Sequence, residues 1–400
     1  MTSLCNLIAL AVAAVPVTLQ QPERVALPAR IADIAQSDTL RARLLARIGE
    51  NTPTPFLIGE VSGLALDDSG RVFVADFQDP RVLVFTLDGK HLVTIGRQGR
   101  GPGEFTAPTG PVIGPDGALY VRNMEHVARF VRDPRTGLPS AFDRTFPGPA
   151  MAPWRSKQAS VIDRAGRFHF PLEVGLRSDT LSYYAYRRYS LAGVELDSIP
   201  VPSYSTTRSK FASYNSRIIA GFNVVPFHPN PAWAVSVSGT IVSGPADKYE
   251  FRETDSTGRV LRAINRTVAS TRIPARERAE SLRALKRRID SLPVPVSRLY
   301  GASEEVIRQR LPEDYPAYRS VLAQPSGELW VRRWSPPSLA RHTVLDVFDR
   351  GGVYRRTIVL PMNCTVLPAP VVRGSSIACV EVDLESGAES VVVATLPGGQ

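Results

Sequence analysis

The sequence predicts an all-β fold, and three of its features lead to that expectation. With 29 glycines and 34 prolines in 400 residues, the composition favours many short strands joined by turns over long helices. Asp-Gly and Ser-Gly pairs separate short alternating apolar runs, which indicates hairpins because glycine adopts positive φ at little steric cost. The third feature is an internal repeat, whose copies define the architecture.

The first copy of the repeat is the clearest. It spans residues 62–95 and contains the turns DDSG, FQDP and LDG, which predict four strands at 62–66, 71–76, 81–86 and 91–95. The second copy begins at Gly110, where the turn at 115–117 takes the place of the turn at 68–70. Four further copies follow at 160–201, 234–264, 320–360 and 369–396. The copies at 160–201 and 234–264, the third and fourth of the six, match the repeat least well.

The sixth copy lacks its fourth strand, and the beginning of the chain can supply it. The segment Leu44–Gly49 (LLARIG) resembles Leu92–Gly96 (LVTIG), the fourth strand of the first copy. Pairing this segment with the sixth sheet would join the two ends of the chain by ladder hydrogen bonds and remove an open sheet edge. The sequence therefore predicts one six-bladed β-propeller over residues 40–397, closed by an N-terminal strand.

The chain departs from the repeat at 267–318, between the fourth and fifth blades. Pro274 suits the first turn of a helix, and one helical face after it is apolar: Ala279, Leu282, Leu285, Ile289 and Leu292. A second short helix is expected from Ser303 toward Arg310, because serine is a good N-cap. The segment is therefore predicted to be a helical insertion in the propeller.

The best-conforming parts of the repeat resemble a known family. Val72–Asp76 (VFVAD), Arg81–Phe85 (RVLVF) and Ile95–Phe105 (IGRQGRGPGEF) are similar to six-bladed propellers of the NHL-repeat type, in particular the exported bacterial ones. The resemblance covers roughly residues 40–397 and implies the fold. It implies little about function, since propellers carry unrelated activities.

In such a propeller the long connections are expected on one face. The first strand of each blade lies at the axis and the fourth on the rim, so the turns between strands one and two and between three and four share a face. The other face holds the connections between strands two and three and between blades, including the long segments 97–109, 147–158, 200–232 and 267–318. Long connections in a compact domain are commonly functional, so this face is the predicted binding surface.

Polar residues at the ends of the second strands point toward the axis on that face. Arg122, Arg332 and Arg333 favour an anionic ligand, because guanidinium groups bind carboxylates and phosphates in a bidentate manner. Asn123 and His126 lie beside Arg122 in the second blade. These five residues are the candidate ligand-binding set.

A second interpretation places a metal ion at the axis. The gluconolactonase and paraoxonase type of six-bladed enzyme binds calcium there through Glu, Asn and Asp, and similar residue types occur here: Asp76, Asn123, Glu173, Glu381 and Asp383. The protein would then be a metal-dependent hydrolase or lactonase. Asp76 also fits a simpler role, since an aspartate before a turn commonly caps its own backbone. No nucleophile elbow and no HExxH motif occurs, so no catalytic residue is predicted.

Half of the net charge of +10 lies in the helical insertion. Residues 272–288 carry seven basic and two acidic side chains, a net charge of +5. One interpretation is a lid with a solvated basic face, and the other is a docking surface for an acidic partner: Arg276, Arg283, Lys286 and Arg287. Nucleic acid is not expected, because base-stacking aromatic residues are not interleaved with these charges.

Residues 1–19 predict a signal peptide. The apolar run Leu4–Val17 has the length of a signal-peptide core, and it is shorter than the ~20 apolar residues that span a bilayer. A buried N-terminal strand or helix is the alternative. Removal of this segment would leave Cys364 and Cys379, which an oxidising compartment would allow to pair if they lie close together.

These features predict a binding protein more readily than an enzyme. We expect an exported monomer, periplasmic or extracellular, without a cofactor or a membrane span. Its partner would be a protein or an anionic component of the cell envelope, held on the face with the long connections and at the axial channel. The alternative is the calcium-dependent hydrolase.

Overall fold

The described strands form six sheets, five with four strands and one, in blade 5, with a fifth strand at its edge. A computed structural model describes residues 39–49, 57–149, 157, 160–178, 181–201, 226–227, 229, 232–266, 270–290, 311–335, 341–383 and 385–397. Their strands are grouped into six blades, which confirms the predicted all-β six-bladed propeller.

The strand bounds follow the repeat. The N-terminal strands and blades 1 and 2 are β1 (Thr39–Arg41), β2 (Arg43–Gly49), β3 (Val61–Leu66), β4 (Arg71–Asp76), β5 (Arg81–Thr86), β6 (His91–Ile95), β7 (Pro108–Ile113), β8 (Leu119–Asn123), β9 (His126–Arg132) and β10 (Pro139–Pro147). Blades 3 and 4 are β11 (Val161–Ile162), β12 (Arg167–Ser178), β13 (Leu181–Ser190), β14 (Glu195–Pro200), β15 (Ala232–Val235), β16 (Ile241–Gly244), β17 (Glu250–Thr254) and β18 (Val260–Asn265). Blades 5 and 6 contain β19 (Tyr318–Ala323), β20 (Leu329–Arg333), β21 (Thr343–Phe348), β22 (Tyr354–Leu360), β23 (Val371–Arg373), β24 (Ser376–Val382) and β25 (Glu389–Thr395).

The outer strand of blade 6 comes from the beginning of the chain. Strand β2 pairs antiparallel with β25, with Leu44 opposite Ala394 and Ile48 opposite Val391. Strand β1 pairs in parallel with β22, the outer strand of blade 5, with Thr39 opposite Thr357. The N-terminal segment therefore runs along the rims of two neighbouring blades, and its pairing with blade 5 has no counterpart in the sequence repeat.

A glycine recurs at the hairpin turns, and in several of them an acidic residue precedes it and binds the turn backbone. In the first turn of blade 1, the Asp67 carboxylate accepts the backbone N–H groups of Ser69 (3.0 Å) and Arg71 (2.9 Å). Gly70 follows at a φ of +69°, which a residue with a side chain rarely adopts. Asp163 accepts the equivalent N–H groups in blade 3. The hydrogen bonds that form these turns lie within a few residues of one another, so the turns can be predicted from the sequence.

The core lies between the blades. Along β4, Val72 and Val74 pack against blade 6, whereas Phe73 and Ala75 pack against blade 2, and all four are fully buried. Each pair of neighbouring blades shares such an apolar cluster. The middle strands therefore read as continuous apolar runs, because both of their faces are covered.

Two backbone hydrogen bonds join the beginning and the end of the helical insertion. Ile273 N–H donates to the Glu313 carbonyl (2.8 Å), and Tyr315 N–H donates to the Thr271 carbonyl (2.9 Å). Helix α1 (Ala275–Asp290) starts directly after Pro274, as expected of a first-turn proline. The helix predicted from Ser303 lies outside the described residues.

Blade 6 carries a disulfide bond. It joins Cys364, in the connection before β23, to Cys379 on β24, and both residues are buried. Among the described residues, no helix is both long and apolar enough to cross a bilayer.

Candidate functional site

The connections between blades share one face, here called the connector face. In the described part of the chain they are the residues 57–60, 96–107, 148–149, 157, 160, 201, 226–227, 229, 266, 270–290, 311–317 and 361–370. The opposite face, here called the hairpin face, holds the short turns 67–70, 114–118, 163–166, 236–240 and 324–328. The inner strands β3, β7, β11, β15, β19 and β23 each occupy one edge of their sheet and surround the axis.

Asp76 and Asn123 hold the connections that enter their own blades. The Asp76 carboxylate is fully buried and accepts the backbone N–H groups at 59–60, both at 3.2 Å. Asn123 Oδ1 accepts the N–H groups at 106–107, at 3.0 and 2.9 Å. Asp76 Oδ1 also accepts the N–H groups of Gln78 (3.1 Å) and Asp79 (3.3 Å) in its own turn, which is the simpler of the two roles considered for Asp76.

The other candidate metal ligands lie apart. Glu381 accepts the Asn363 N–H (2.9 Å) and pairs with Arg47, whereas Asp383 caps its own turn at 385–386. Glu173 pairs with Tyr184 in the backbone of β12 and β13, and its side chain lies outside the described part of the chain. In the residues that the structure describes, no three His, Cys, Asp or Glu side chains come together to hold a metal ion.

Arg122 is buried at the connector end of blade 2. Its exposed fraction is 5%, its Nη2 donates to the Pro149 carbonyl (2.8 Å), and its guanidinium lies 5.2 Å from the centre of the Phe170 ring. Burial lowers the pKa of Arg122 to about 10. The side chain therefore fixes the connection into blade 3 and faces a neighbouring ring.

Arg332 occupies the matching place in blade 5. It donates to the Thr365 carbonyl (2.8 Å) and to Asn363 Oδ1 (3.2 Å), both in the connection into blade 6. Burial, together with the positive charge of the nearby Arg319, lowers the pKa of Arg332 to about 9. Two cations therefore lie close together at this end of blade 5.

Arg319 is a candidate that sequence reasoning missed. It lies on the inner strand β19, at a bulge between Tyr318 and Ser320, and its side chain is exposed. Loss of hydration in the surrounding protein lowers the pKa of Arg319. Within the described residues Arg319 makes no hydrogen bond or ion pair. The residue could not be found from the sequence, because the bulge that turns it depends on the packing of blade 5.

Arg333 and His126 have different surroundings. Arg333 binds both oxygens of the buried Asp346, through Nε (2.9 Å) and Nη2 (2.8 Å). His126 begins β9 and is exposed, opposite Asn123 in the backbone pairing. Of the five predicted ligand-binding residues, His126 is the one with an exposed side chain, and Arg122, Arg332 and Arg333 are held by protein groups.

An aromatic cluster lies beside Arg333 on the connector face. Tyr315 and Trp334 are stacked with ring centres 4.2 Å apart, and Phe227 meets both rings edge-on at 5.8 and 5.7 Å. The three residues come from two connections and the end of β20. The Tyr315 hydroxyl donates to Glu277 of α1, so the same cluster ties the helix to blade 5.

Lys157 links distant parts of the connector face. It lies in the connection from blade 2 to blade 3, yet its Nζ contacts Glu389 (2.7 Å) and Glu60 (3.3 Å) at the junction of blades 6 and 1. Glu389 also accepts the Val61 N–H at 2.7 Å. These two carboxylates are therefore already bound by a cation.

The predicted docking residues lie on helix α1 and are exposed. They are Arg276, Arg283, Lys286 and Arg287. Arg276 pairs with Glu280 one turn later at 2.8 Å, a surface contact of little energy. The helix is fixed to the connection near its start, where Arg278 Nη2 donates to the Leu311 carbonyl at 3.4 Å.

Comparison with known families supports the fold over part of the chain. A family model described as a 6-bladed beta-propeller matches residues 44–126, which include β2 and blade 1. No curated protein sequence matches this chain.

Solved structures of several proteins are similar to this chain at low sequence identity. An exported protein from Bacteroides fragilis is 10% identical, with coverage of 91% of this chain and 96% of that one and a TM-score of 0.47. The calcium-binding protein regucalcin from Agrobacterium tumefaciens is 11% identical, with coverage of 91% and 97% and a TM-score of 0.40. A virginiamycin B lyase from Staphylococcus aureus is 12% identical, with coverage of 86% and 82% and a TM-score of 0.39. At such identities the activities of these proteins are not transferred to this chain.

Proposed function

We propose that this propeller is a non-catalytic binding protein that holds an anionic ligand or an acidic partner segment on its connector face, at the mouth of the axial channel. The observation that carries the proposal is Arg319, an exposed cation on an inner strand with no anionic partner among the described residues. A guanidinium binds a carboxylate or phosphate through charge-assisted hydrogen bonds, which are often bidentate.

The surroundings of Arg319 favour an anion over a cation. Arg332 lies close enough for the two charges to interact, and its own contacts are to neutral oxygens. The carboxylates of Glu60 and Glu389 are bound by Lys157. An incoming anion would therefore meet uncompensated positive charge.

The candidate acidic residues support binding more than hydrolysis. Asp76 and Glu381 each accept backbone N–H groups of a connection, so recruiting them to a metal would release those groups. The aromatic cluster of Phe227, Tyr315 and Trp334 adds apolar surface in the same sector of the connector face. Charged and aromatic groups together are typical of a recognition surface.

Replacement of Arg319 tests the site. A fluorescent peptide of alternating Glu and Gly is the probe, and its Gln counterpart is the uncharged reference. We expect Arg319→Gln to weaken binding of the acidic peptide at least about fivefold, since a hydrogen bond to a charged group contributes about 1.5–3 kcal/mol. Binding to the normal chain should fall as salt is raised from 50 to 300 mM, because exposed charges are screened. Fluorescence anisotropy measures both effects.

Two matched variants locate the binding surface. Arg356→Gln removes an exposed arginine from the outer strand β22 of the same blade and should leave binding unchanged. A fourfold variant with glutamine at 276, 283, 286 and 287 removes the helix charges. Loss of binding in that variant together with normal binding by Arg319→Gln would move the site to α1 and refute the axial proposal. Equal binding of the acidic and neutral peptides would also refute it.

We also infer that the chain is exported. The disulfide bond between Cys364 and Cys379 supports an oxidising compartment, and the signal-like run at 4–17 supports export. Protein expressed with residues 1–400 and recovered from the periplasm should be shorter at its N-terminus by about 19 residues, as signal peptides are of this length. It should also contain no free thiol. Intact mass with and without reduction measures both, and an unshortened chain with free thiols would refute export.

A further inference from the structure

A cavity of about 290 Å³ opens on the hairpin face between blades 4 and 5. Its walls come from the turns at 236–240 and 324–328, with Arg164 reaching in from blade 3. It lies at the opposite end of the propeller from the connector face, so it is separate from the site proposed above.

One part of the cavity lining is apolar. Val242 and Leu329, which are 3% and 1% exposed, line it together with Ala323 and Leu261. Leu261 is 42% exposed and adds accessible apolar surface to the lining. A cavity of this size is at the small end of ligand pockets and suits a molecule with about one ring.

Two guanidinium groups meet at one turn of the cavity. Arg164 Nη2 donates to the Pro325 carbonyl (3.1 Å), and Arg350 Nε donates to the adjacent Ser326 carbonyl. Each guanidinium has five N–H donors, so most of them stay available. Within the described residues neither arginine pairs with a carboxylate.

The acidic groups of the cavity already have partners. Glu253 is held by Arg262 (2.5 Å) and by the Thr240 hydroxyl. Glu328 accepts the Trp330 indole N–H at 3.2 Å. Glu328 keeps its negative charge, but the lining contains three arginines and two glutamates, so one positive charge is in excess, and Arg164 and Arg350 are the lining arginines without a carboxylate partner among the described residues.

We propose that this cavity binds a small organic carboxylate. The carboxylate lies between Arg164 and Arg350, and its apolar body rests on Val242 and Leu329. Planar guanidinium groups match the two oxygens of a carboxylate, and the apolar floor selects against a bare inorganic anion. The ligand class follows from this pairing of two cations with an apolar floor.

Phenylacetate is a suitable probe, with 2-phenylethanol as its neutral counterpart and inorganic phosphate as an anion without an apolar body. Saturation-transfer NMR and calorimetry on the full chain should show phenylacetate binding with a Kd of about 1 mM or tighter, a weak affinity. Arg164→Gln and Arg350→Gln should each raise that Kd at least about fivefold, since each removes a charged donor. Phosphate and 2-phenylethanol should bind at least about fivefold more weakly than phenylacetate.

Two further variants distinguish loss of the ligand contacts from a general loss of folding. Arg135→Gln removes an exposed arginine from another turn on the hairpin face and should leave the Kd unchanged. Ser238→Tyr keeps both arginines and fills the exposed edge of the cavity, so it should abolish binding. Absence of phenylacetate binding, equal binding of 2-phenylethanol, or normal binding by Ser238→Tyr would overturn the proposal. None of these results bears on Arg319 and the connector face.

Discussion

A chain that lacks residues 1–49 is expected to lose cooperative folding. The deletion removes β2, so the backbone groups of β25 that pair with it are left as an open edge. It also removes Ile48, which is fully buried in a cluster with Val72, Val391 and Val393. Loss of a buried isoleucine costs about 2–5 kcal/mol and each lost hydrogen bond about 1 kcal/mol, against a total stability of about 5–15 kcal/mol.

The matched control is a chain that lacks residues 1–38 and keeps both N-terminal strands. Thermal unfolding followed by circular dichroism should give a sharp transition for this control and a broad or absent one for the longer deletion. If the two truncated chains unfold at the same temperature, the N-terminal strand does not close the ring. Aggregation confined to the longer deletion agrees with an exposed sheet edge.

Local chemistry explains how much of the fold could be predicted. The strands of blade 1 begin and end within one residue of their predicted bounds, because Asp67 and Gly70 specify the turn without help from the rest of the chain. The segment at 44–49 could be matched to a blade because it repeats the pattern of a fourth strand. Strand β1 could not be foreseen, since its parallel pairing with β22 leaves no periodic pattern in three residues.

The sequence could place the polar ends of the second strands on one face, but it could not predict what their side chains contact. The strand ends correctly marked polar residues on the connector face, yet Asp76, Asn123 and Arg332 bind neighbouring backbone there. From the sequence alone, a polar residue at a strand end that binds a ligand cannot be distinguished from one that binds the backbone of a connection. The hairpin-face cavity was missed because its two arginines come from different blades and its loops are short.

Arg333 is the clearest example of a side-chain contact that the sequence could not predict. In the sequence it stands beside Arg332 and is read as part of an anion site. In the structure it pairs with Asp346, thirteen residues away on the next strand. The segment VLDVF gives no sign that its aspartate is fully buried, because that depends on blade 4 covering it.

Replacement of Asp346 is expected to be the most destabilising single substitution in blade 5. Its carboxylate accepts four side-chain contacts: Arg333 Nε (2.9 Å), Arg333 Nη2 (2.8 Å), the Tyr249 hydroxyl (2.6 Å) and the Thr357 hydroxyl (2.8 Å). Burial and the nearby carboxylate raise the pKa of Tyr249, so that residue stays a neutral donor. The group therefore joins blades 4 and 5 through a fully buried charge.

Asp346→Ala should lower the free energy of unfolding by about 3–5 kcal/mol, because it leaves the mostly buried Arg333 charge and the Tyr249 hydroxyl without their acceptor. Asp346→Asn should cost less than the alanine change, since the amide oxygen still accepts from Tyr249 or Thr357. Urea unfolding gives both values. The control is Asp79→Ala, which breaks an ion pair between exposed Asp79 and Arg81 and should cost under about 1 kcal/mol. A cost below about 1 kcal/mol for Asp346→Ala would contradict the role of this buried charge in joining the blades.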